Sequence, residues 1–287
     1  MTAVLKHEIR AHSHSISAYL FCAFLLVFVG VGAMMYNIQS AVANFEYVLE
    51  FVCIGLTVII PVLTMRSIAE EKRQKTDQLL YSLPLTAVDI VIGKYLAMLV
   101  MYLVPLLIVA IYPLIFAQYG EVYLLTAYGS LFAFFMLGAA LIAVGMFISS
   151  LTDNQGFAAG ISIALFLFNY FSVTLAENVS STSFGAAIAV GLLALVLGVI
   201  VYHLTRSVAM AYAVGIAILA AVCVAIYIDP SSLAELLPSL MKTLSLFSRF
   251  YVFVNGIFDM TSVVFYLSVI VFFLLLTVQS LEKRRYN

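Results

Sequence analysis

The chain has 287 residues, of which 65% are hydrophobic and 9% charged, with 13 basic and 14 acidic side chains and a net charge of −1. Soluble domains carry about 25% charged residues, so this composition excludes a soluble enzyme or binding module as the whole molecule. It equally excludes a disordered chain and a polybasic nucleic-acid surface.

A bilayer's apolar core is about 30 Å thick, which a helix crosses in about 20 residues. Eight stretches meet or approach that length: Ile16–Met35, Val48–Met65, Val88–Phe116, Leu125–Ser149, Phe157–Ala176, Phe184–His203, Val208–Ile228 and Thr261–Leu281. The predicted fold is therefore all-α, a polytopic membrane bundle of about eight transmembrane helices. Charges sit at span ends: Glu50 and Asp89 lie near an interface, and Lys94 is expected to snorkel outward. With both termini in the cytoplasm, the inner segments hold Lys6, Arg10, Arg66, Lys72, Arg73, Lys75, Lys94, Arg206, Lys283, Arg284 and Arg285. The outer segments hold only Lys242 and Arg249, a strong positive-inside bias. The first span is expected to be retained, because its apolar stretch exceeds a signal peptide's usual 7–15 residues or so. Cys22, Cys53 and Cys223 lie inside spans and read as small hydrophobes.

The polar connections follow in chain order. His7, His12 and His14 do not share one helix face, so no tight metal triad is expected. Thr57, Thr64 and Asn169 are polar at membrane depth. They either line a pathway or bond neighbouring helices, and packing is the favoured reading. Pro61, Pro105 and Pro113 remove backbone donors inside spans. The inner segment Arg66–Leu83 (RSIAEEKRQKTDQLLYSL) is highly charged and free of Gly and Pro until Pro84. It is either a solvated charged loop that only enforces orientation, or one helix with Glu71 and Lys75 paired at i,i+4, lying along the inner membrane face and offered to a soluble partner. The outer segment Asp229–Met260 is too apolar for a solvated loop and is expected to form short interfacial helices. No connection reaches the ~40 residues of an independent domain. There is no GxxxxGK[ST] phosphate loop and no catalytic triad, so the chain is expected to be no enzyme, and any ATP chemistry belongs to a partner. Asn178-Val179-Ser180 matches a glycosylation acceptor, relevant only in a eukaryotic secretory route.

Several ordered motifs now point to a family. They run from Met65-Arg66 through Ala69-Glu70-Glu71-Lys72-Arg73, Thr76, Leu79-Leu80 and Leu83-Pro84 to Ile92-Gly93-Lys94-Tyr95-Leu96-Ala97. Lys6-His7-Glu8-Ile9-Arg10 precedes the first span, Ile148-Ser149-Ser150-Leu151-Thr152-Asp153-Asn154-Gln155 joins two spans, and Ser280-Leu281-Glu282-Lys283-Arg284-Arg285 ends the last. In this order the chain resembles the type-2 ABC transporter permeases (ABC-2), with the gliding-motility and nitrous-oxide-reductase-maturation permeases as the nearest subgroup.

That resemblance implies a single permease domain over 1–287 with six family spans. The two-helix hairpin at 184–228 departs from that six-span pattern as an insertion, either an ordinary packing hairpin or a docking site for an accessory subunit, and 229–260 reads as extracytoplasmic interfacial helices. The resemblance also implies a cytoplasmic coupling helix at 66–83. It implies the membrane subunit of an ATP-driven exporter of a lipid, peptide or other hydrophobic substrate in a bacterial inner membrane. The alternatives are an ABC-type mechanical subunit that moves no solute, and a secondary transporter. Partners would be ABC ATPase subunits, which bind ATP and Mg, and a second permease chain. The chain itself would bind no cofactor and no metal. Coupling contacts would come from Arg66, Glu70, Glu71, Arg73, Thr76, Asp77, Leu79, Leu80, Leu83 and Pro84. Lys6, Glu8, Arg10, Asp153, Asn154 and Gln155 would add secondary cytoplasmic contacts.

Overall fold

Small side chains decide which helix can sit in the middle of an apolar bundle. The stretch from Ala127 to Ser150 is rich in Ala, Gly and Ser, and it becomes the central helix. The computed structural model describes residues 2–13, 15–40, 42–75, 86–178, 238–239 and 241–286. The chain divides into two compact units, residues 1–170 with 249–287, and residues 171–248. The first unit carries the architecture described below.

The described elements are all helical. They are α1 (Thr2–Ser13), α2 (Ile16–Ala33, continued by a π-helical turn over Met34–Gln39), α3 (Glu46–Thr64), α4 (Ala69–Gln74) and α5 (Ala87–Val109). They continue with α6 (Tyr112–Phe116), α7 (Leu124–Leu151), α8 (Gln155–Asn178), α9 (Leu246–Val254) and α10 (Met260–Tyr286). Six helical stretches are long and apolar enough to cross a membrane: Ile16–Gln39, Glu46–Gln74, Ala87–Phe116, Leu124–Leu151, Gln155–Leu175 and Met260–Arg284. They match the six expected family spans. The expected hairpin Phe184–Ile228, with His203, Arg206 and Cys223, lies outside the described residues.

The helix α7 packs against α3, α5 and α10. It is 72% buried over its most apolar stretch, against 22% for α10. Without lipid-water contrast to drive helices together, close backbone approach and interhelical hydrogen bonds hold such a bundle. Gly138 provides the closest approach: a Cβ there would run into the Tyr102 ring. Beside it the Tyr102 hydroxyl donates to the Phe134 carbonyl at 2.8 Å, and Tyr95 donates to Ala139 at 3.2 Å. The outward faces of α2, α5 and α10 stay apolar and exposed, as Leu20, Val27, Leu107, Val264 and Phe272 show. In a membrane those faces meet lipid.

The sequence signals at element ends are used as local physics requires. The Thr86 hydroxyl caps α5 by accepting from the Asp89 N–H at 3.1 Å. The stretch Ala87–Phe116 breaks after Val109, Pro113 helps restart it as α6, and Tyr128 ties the break by donating to Ala110 at 3.0 Å. Within the expected interfacial segment, α9 is helical. The chain turns at Gly256, whose φ of +82° suits glycine. Asp259 then starts α10 by accepting from the N–H groups of Thr261 and Ser262, each at 3.0 Å. The Ser262 hydroxyl, donating at 2.6 Å, holds the Asp259 carboxyl below the usual carboxylate range.

Candidate functional site: an ionic platform at one end of the bundle

The charged motifs of the sequence converge at one end of the bundle. α1, α4, the start of α5, the α7–α8 turn and the end of α10 meet there through side-chain bonds. Lys94 lies two turns into α5 and is 3% exposed. Its ammonium donates to Glu8 on α1 at 2.8 Å and to Glu71 on α4 at 2.6 Å. This corrects two expectations. Lys94 does not snorkel outward, because two carboxylates from neighbouring helices neutralise it inside. Glu71 does not pair with Lys75, because it is drawn to Lys94 instead.

The helix of 66–83 is also shorter at its start than its composition suggested. Met65–Ile68 form turns, α4 covers Ala69–Gln74, and Lys75 adopts the left-handed conformation (φ 58°) that closes α4. The local i,i+4 pair is Arg66 with Glu70, a two-pronged contact at 2.7 and 3.0 Å. Thr76, Asp77, Leu79, Leu80, Leu83 and Pro84 lie outside the described residues.

α4 is held from a second side by the Ser149-Ser150 pair at the end of α7. A helix's first N–H groups have no partner within the helix. The Ser149 hydroxyl accepts from the N–H groups of Ile68 and Ala69 at 3.3 and 3.1 Å, and donates to Met65 at 3.1 Å. Ser149 therefore caps α4 from a residue some 80 positions away. The Lys72 ammonium, buried like Lys94, donates to the Ser150 carbonyl. Ser280 on α10 donates to that same carbonyl at 3.2 Å, and Arg284 pairs with Asp153 at 2.8 Å. α1 in turn is seated on α5 at Gly93, where a Cβ would press on Val4.

The remaining expected residues separate by exposure. Lys6, Arg10 and Arg73 are exposed on this end. Glu8 is buried in its pair with Lys94. Asn154 accepts from the N–H groups of Gly156 and Phe157 and so opens α8, at whose first position Gln155 sits. Of the polar membrane residues, Thr57 donates to Ile54 at 2.6 Å within its own helix. Thr64 donates to Ile60 at 3.1 Å, and it packs so close to Gly145 that no larger residue would fit there. Both are buried, and each hydroxyl bonds within its own helix rather than across to a neighbour. Asn169 is half-buried on α8. Among the described residues no group of three His, Cys, Asp or Glu side chains could hold a metal ion.

Sequence reasoning missed Lys94, Lys72, Ser149, Ser150 and Ser280 as working parts. For Lys94 a signal existed: a lysine well inside an apolar span requires a counter-charge, and the flanking segments supply Glu8 and Glu71. For Ser149 none existed, because a cap from another helix leaves no local pattern.

Neither the curated proteins nor the solved structures contain a match to the chain. The family model described as ABC-2 family transporter protein matches residues 13–183, more than half of the chain. The matched region takes in α2 through α8, including α4, Lys94 and the Ser149-Ser150 pair. The chain is thus a multi-pass membrane permease that belongs to the ABC-2 transporter family.

Proposed function

We propose that the chain is the membrane half of an ATP-driven exporter, and that the ionic platform is where a separate ATPase pushes on it. The excess of Lys and Arg supports a cytoplasmic position for this end, and the membrane would be a bacterial inner membrane. ABC-2 permeases normally work with an ATPase subunit, and this chain has no nucleotide motif of its own. Two permease chains would pair in the bilayer, with two ATPase subunits binding ATP and Mg beneath them. The cargo would be a lipid, peptide or other hydrophobic molecule.

The observation that carries this reading is the double bracing of α4. A push on a loosely attached loop would be lost in its own flexing. α4 is instead tied to α7 through Ser149 and Lys72, and to α5 and α1 through Glu71, Lys94 and Glu8. A displacement of α4 therefore moves the central helix and the α1–α5 pair together. The exposed Arg73, with the rest of segment 66–83, is the partner-facing part. Lys6, Arg10, Asp153 and Asn154 flank it.

The test is co-purification with an ABC ATPase subunit from the same cell. Arg73→Glu should abolish capture of that subunit while the permease still inserts and runs as a folded particle. Glu71→Ala combined with Arg73→Ala should do the same and also loosen α1. Undiminished ATPase capture and ATP-driven transport in these variants would overturn the assignment of the coupling segment.

A further inference from the structure

The opposite half of the bundle holds a carboxylate of a different kind. Glu50 lies one turn inside α3 and is half-buried. Among the described residues, no cation pairs with it and no donor bonds to it. One turn earlier, Glu46 is 2% exposed, and its Oε2 is buried without a hydrogen-bond partner; Asn37 Oδ1, on the adjoining turn, is in the same condition. Glu46 also accepts from the Asn44 side chain. Arg249, whose guanidinium lies 5.3 Å over the Phe265 ring, likewise keeps its Nε without a hydrogen-bond partner. A carboxylate left unpaired near the end of an apolar span is costly, which makes it a candidate functional group.

A row of aromatic rings starts next to Glu50 on α3. Tyr47, three residues before it, neighbours Glu50 on the helix surface, and Phe51, one turn beyond Tyr47, continues the Tyr47 face. Tyr36 spans both, with ring centroids 6.5 Å from Tyr47 and 6.2 Å from Phe51. The row continues from Phe51 to Phe28 at 6.0 Å and from Phe28 to Phe24 at 4.3 Å. Room for it is made at Gly55, where a Cβ would press on Phe28 at 3.0 Å. Tyr36, Phe51, Phe28 and Phe24 are all half-buried, so each keeps an accessible side. Elsewhere the phenols of Tyr170 and Tyr251 are hydrogen-bonded to one another.

A carboxylate beside tyrosine rings is the chemistry that receives an organic cation, because ring faces attract positive charge and the carboxylate neutralises it. A row of phenyl rings running down from it is the chemistry that receives an apolar chain. We propose that Glu50 and Tyr36 bind the head of an amphiphilic ammonium ion, and that Phe51, Phe28 and Phe24 take its tail. This rests on the export reading above and names its substrate class: an apolar molecule with a permanent positive head.

Calorimetric titration of the purified full chain, in a neutral maltoside detergent, tests the site without any ATPase. Failure here is therefore distinct from failure of the co-purification experiment. The probes are hexyltrimethylammonium, tetramethylammonium, hexyl sulfate and hexanol. Hexyltrimethylammonium should saturate one site per chain, bind at least tenfold tighter than hexyl sulfate or hexanol, and bind tighter than tetramethylammonium. Glu50→Gln should weaken it about tenfold, and Glu50→Asp, which keeps the charge, should largely preserve it. Phe28→Ala should weaken hexyltrimethylammonium and leave tetramethylammonium unchanged. Glu121→Gln, on an exposed turn, should change nothing. Equal binding by wild type and Glu50→Gln, or hexyl sulfate binding as well as the cation, would overturn the proposal.

Discussion

The two ends of this bundle treat internal charge in opposite ways. At the end holding α1 and α4, Lys94 is buried but saturated by Glu8 and Glu71, and Lys72 is satisfied by Ser150. At the other end, Glu50 is only half-buried and has no partner among the described residues, and Glu46 keeps a bare oxygen. Buried ion pairs add little net stability compared with apolar packing, but they fix which groups meet, and breaking one is expensive. The first end is accordingly built to hold helices in register. The second leaves its charge for something outside the chain.

The most damaging way to break this contrast is Lys94→Met. It leaves Glu8 and Glu71 facing each other without their cation, and loss of one partner in a buried pair costs about 3–5 kcal/mol. Thermal unfolding in detergent should drop by about 10 °C. Neutralising all three positions together (Glu8→Gln, Lys94→Met, Glu71→Gln) should recover most of that loss. A triple variant as unstable as the single one would mean that the charges do not act as a unit.

Ser149→Ala should come next, at about 1–2 kcal/mol, because two N–H groups at the start of α4 lose their acceptor. The same variant should speed hydrogen exchange at Ile68 and Ala69 while leaving the middle of α7 protected.

Glu50→Gln sharpens the contrast from the other side. Removing an unpaired charge should leave unfolding unchanged or raise stability by about 0.5–2 kcal/mol, as at sites where function opposes stability. A fall comparable to that of Lys94→Met would place Glu50 among the structural charges.

The smallest effect belongs to Arg284 and Asp153. Their side chains are 37% and 60% exposed, so solvent screens the 2.8 Å contact. Asp153→Ala should cost less than about 1 kcal/mol, and the difference from wild type should vanish in high salt.

Much of this was legible in the amino-acid order. Length and hydropathy set the six described spans, since crossing a bilayer imposes the same requirement on every helix. The Pro113 restart, the Thr86 cap and the Gly256 turn follow from local backbone chemistry. The motif Ala69–Arg73 marked the right segment as the place where charge gathers. The partner choices within it were misread, because an i,i+4 rule compares only residues on one helix. Glu71 had Lys75 nearby in sequence but Lys94 nearby in space.

The sequence by itself determined a helical membrane bundle, its spans and the clustering of its charge, because those depend on composition and on short-range periodicity. Only the tertiary structure decided that Lys94 is a buried hub, that Ser149 caps a helix some 80 residues away, and that Glu50 stands beside a row of aromatic rings with no partner among the described residues. Those facts depend on which helices touch. In an apolar bundle that is set by small residues such as Gly138 and Gly93, whose spacing permits many pairings and specifies one only when all the helices pack together.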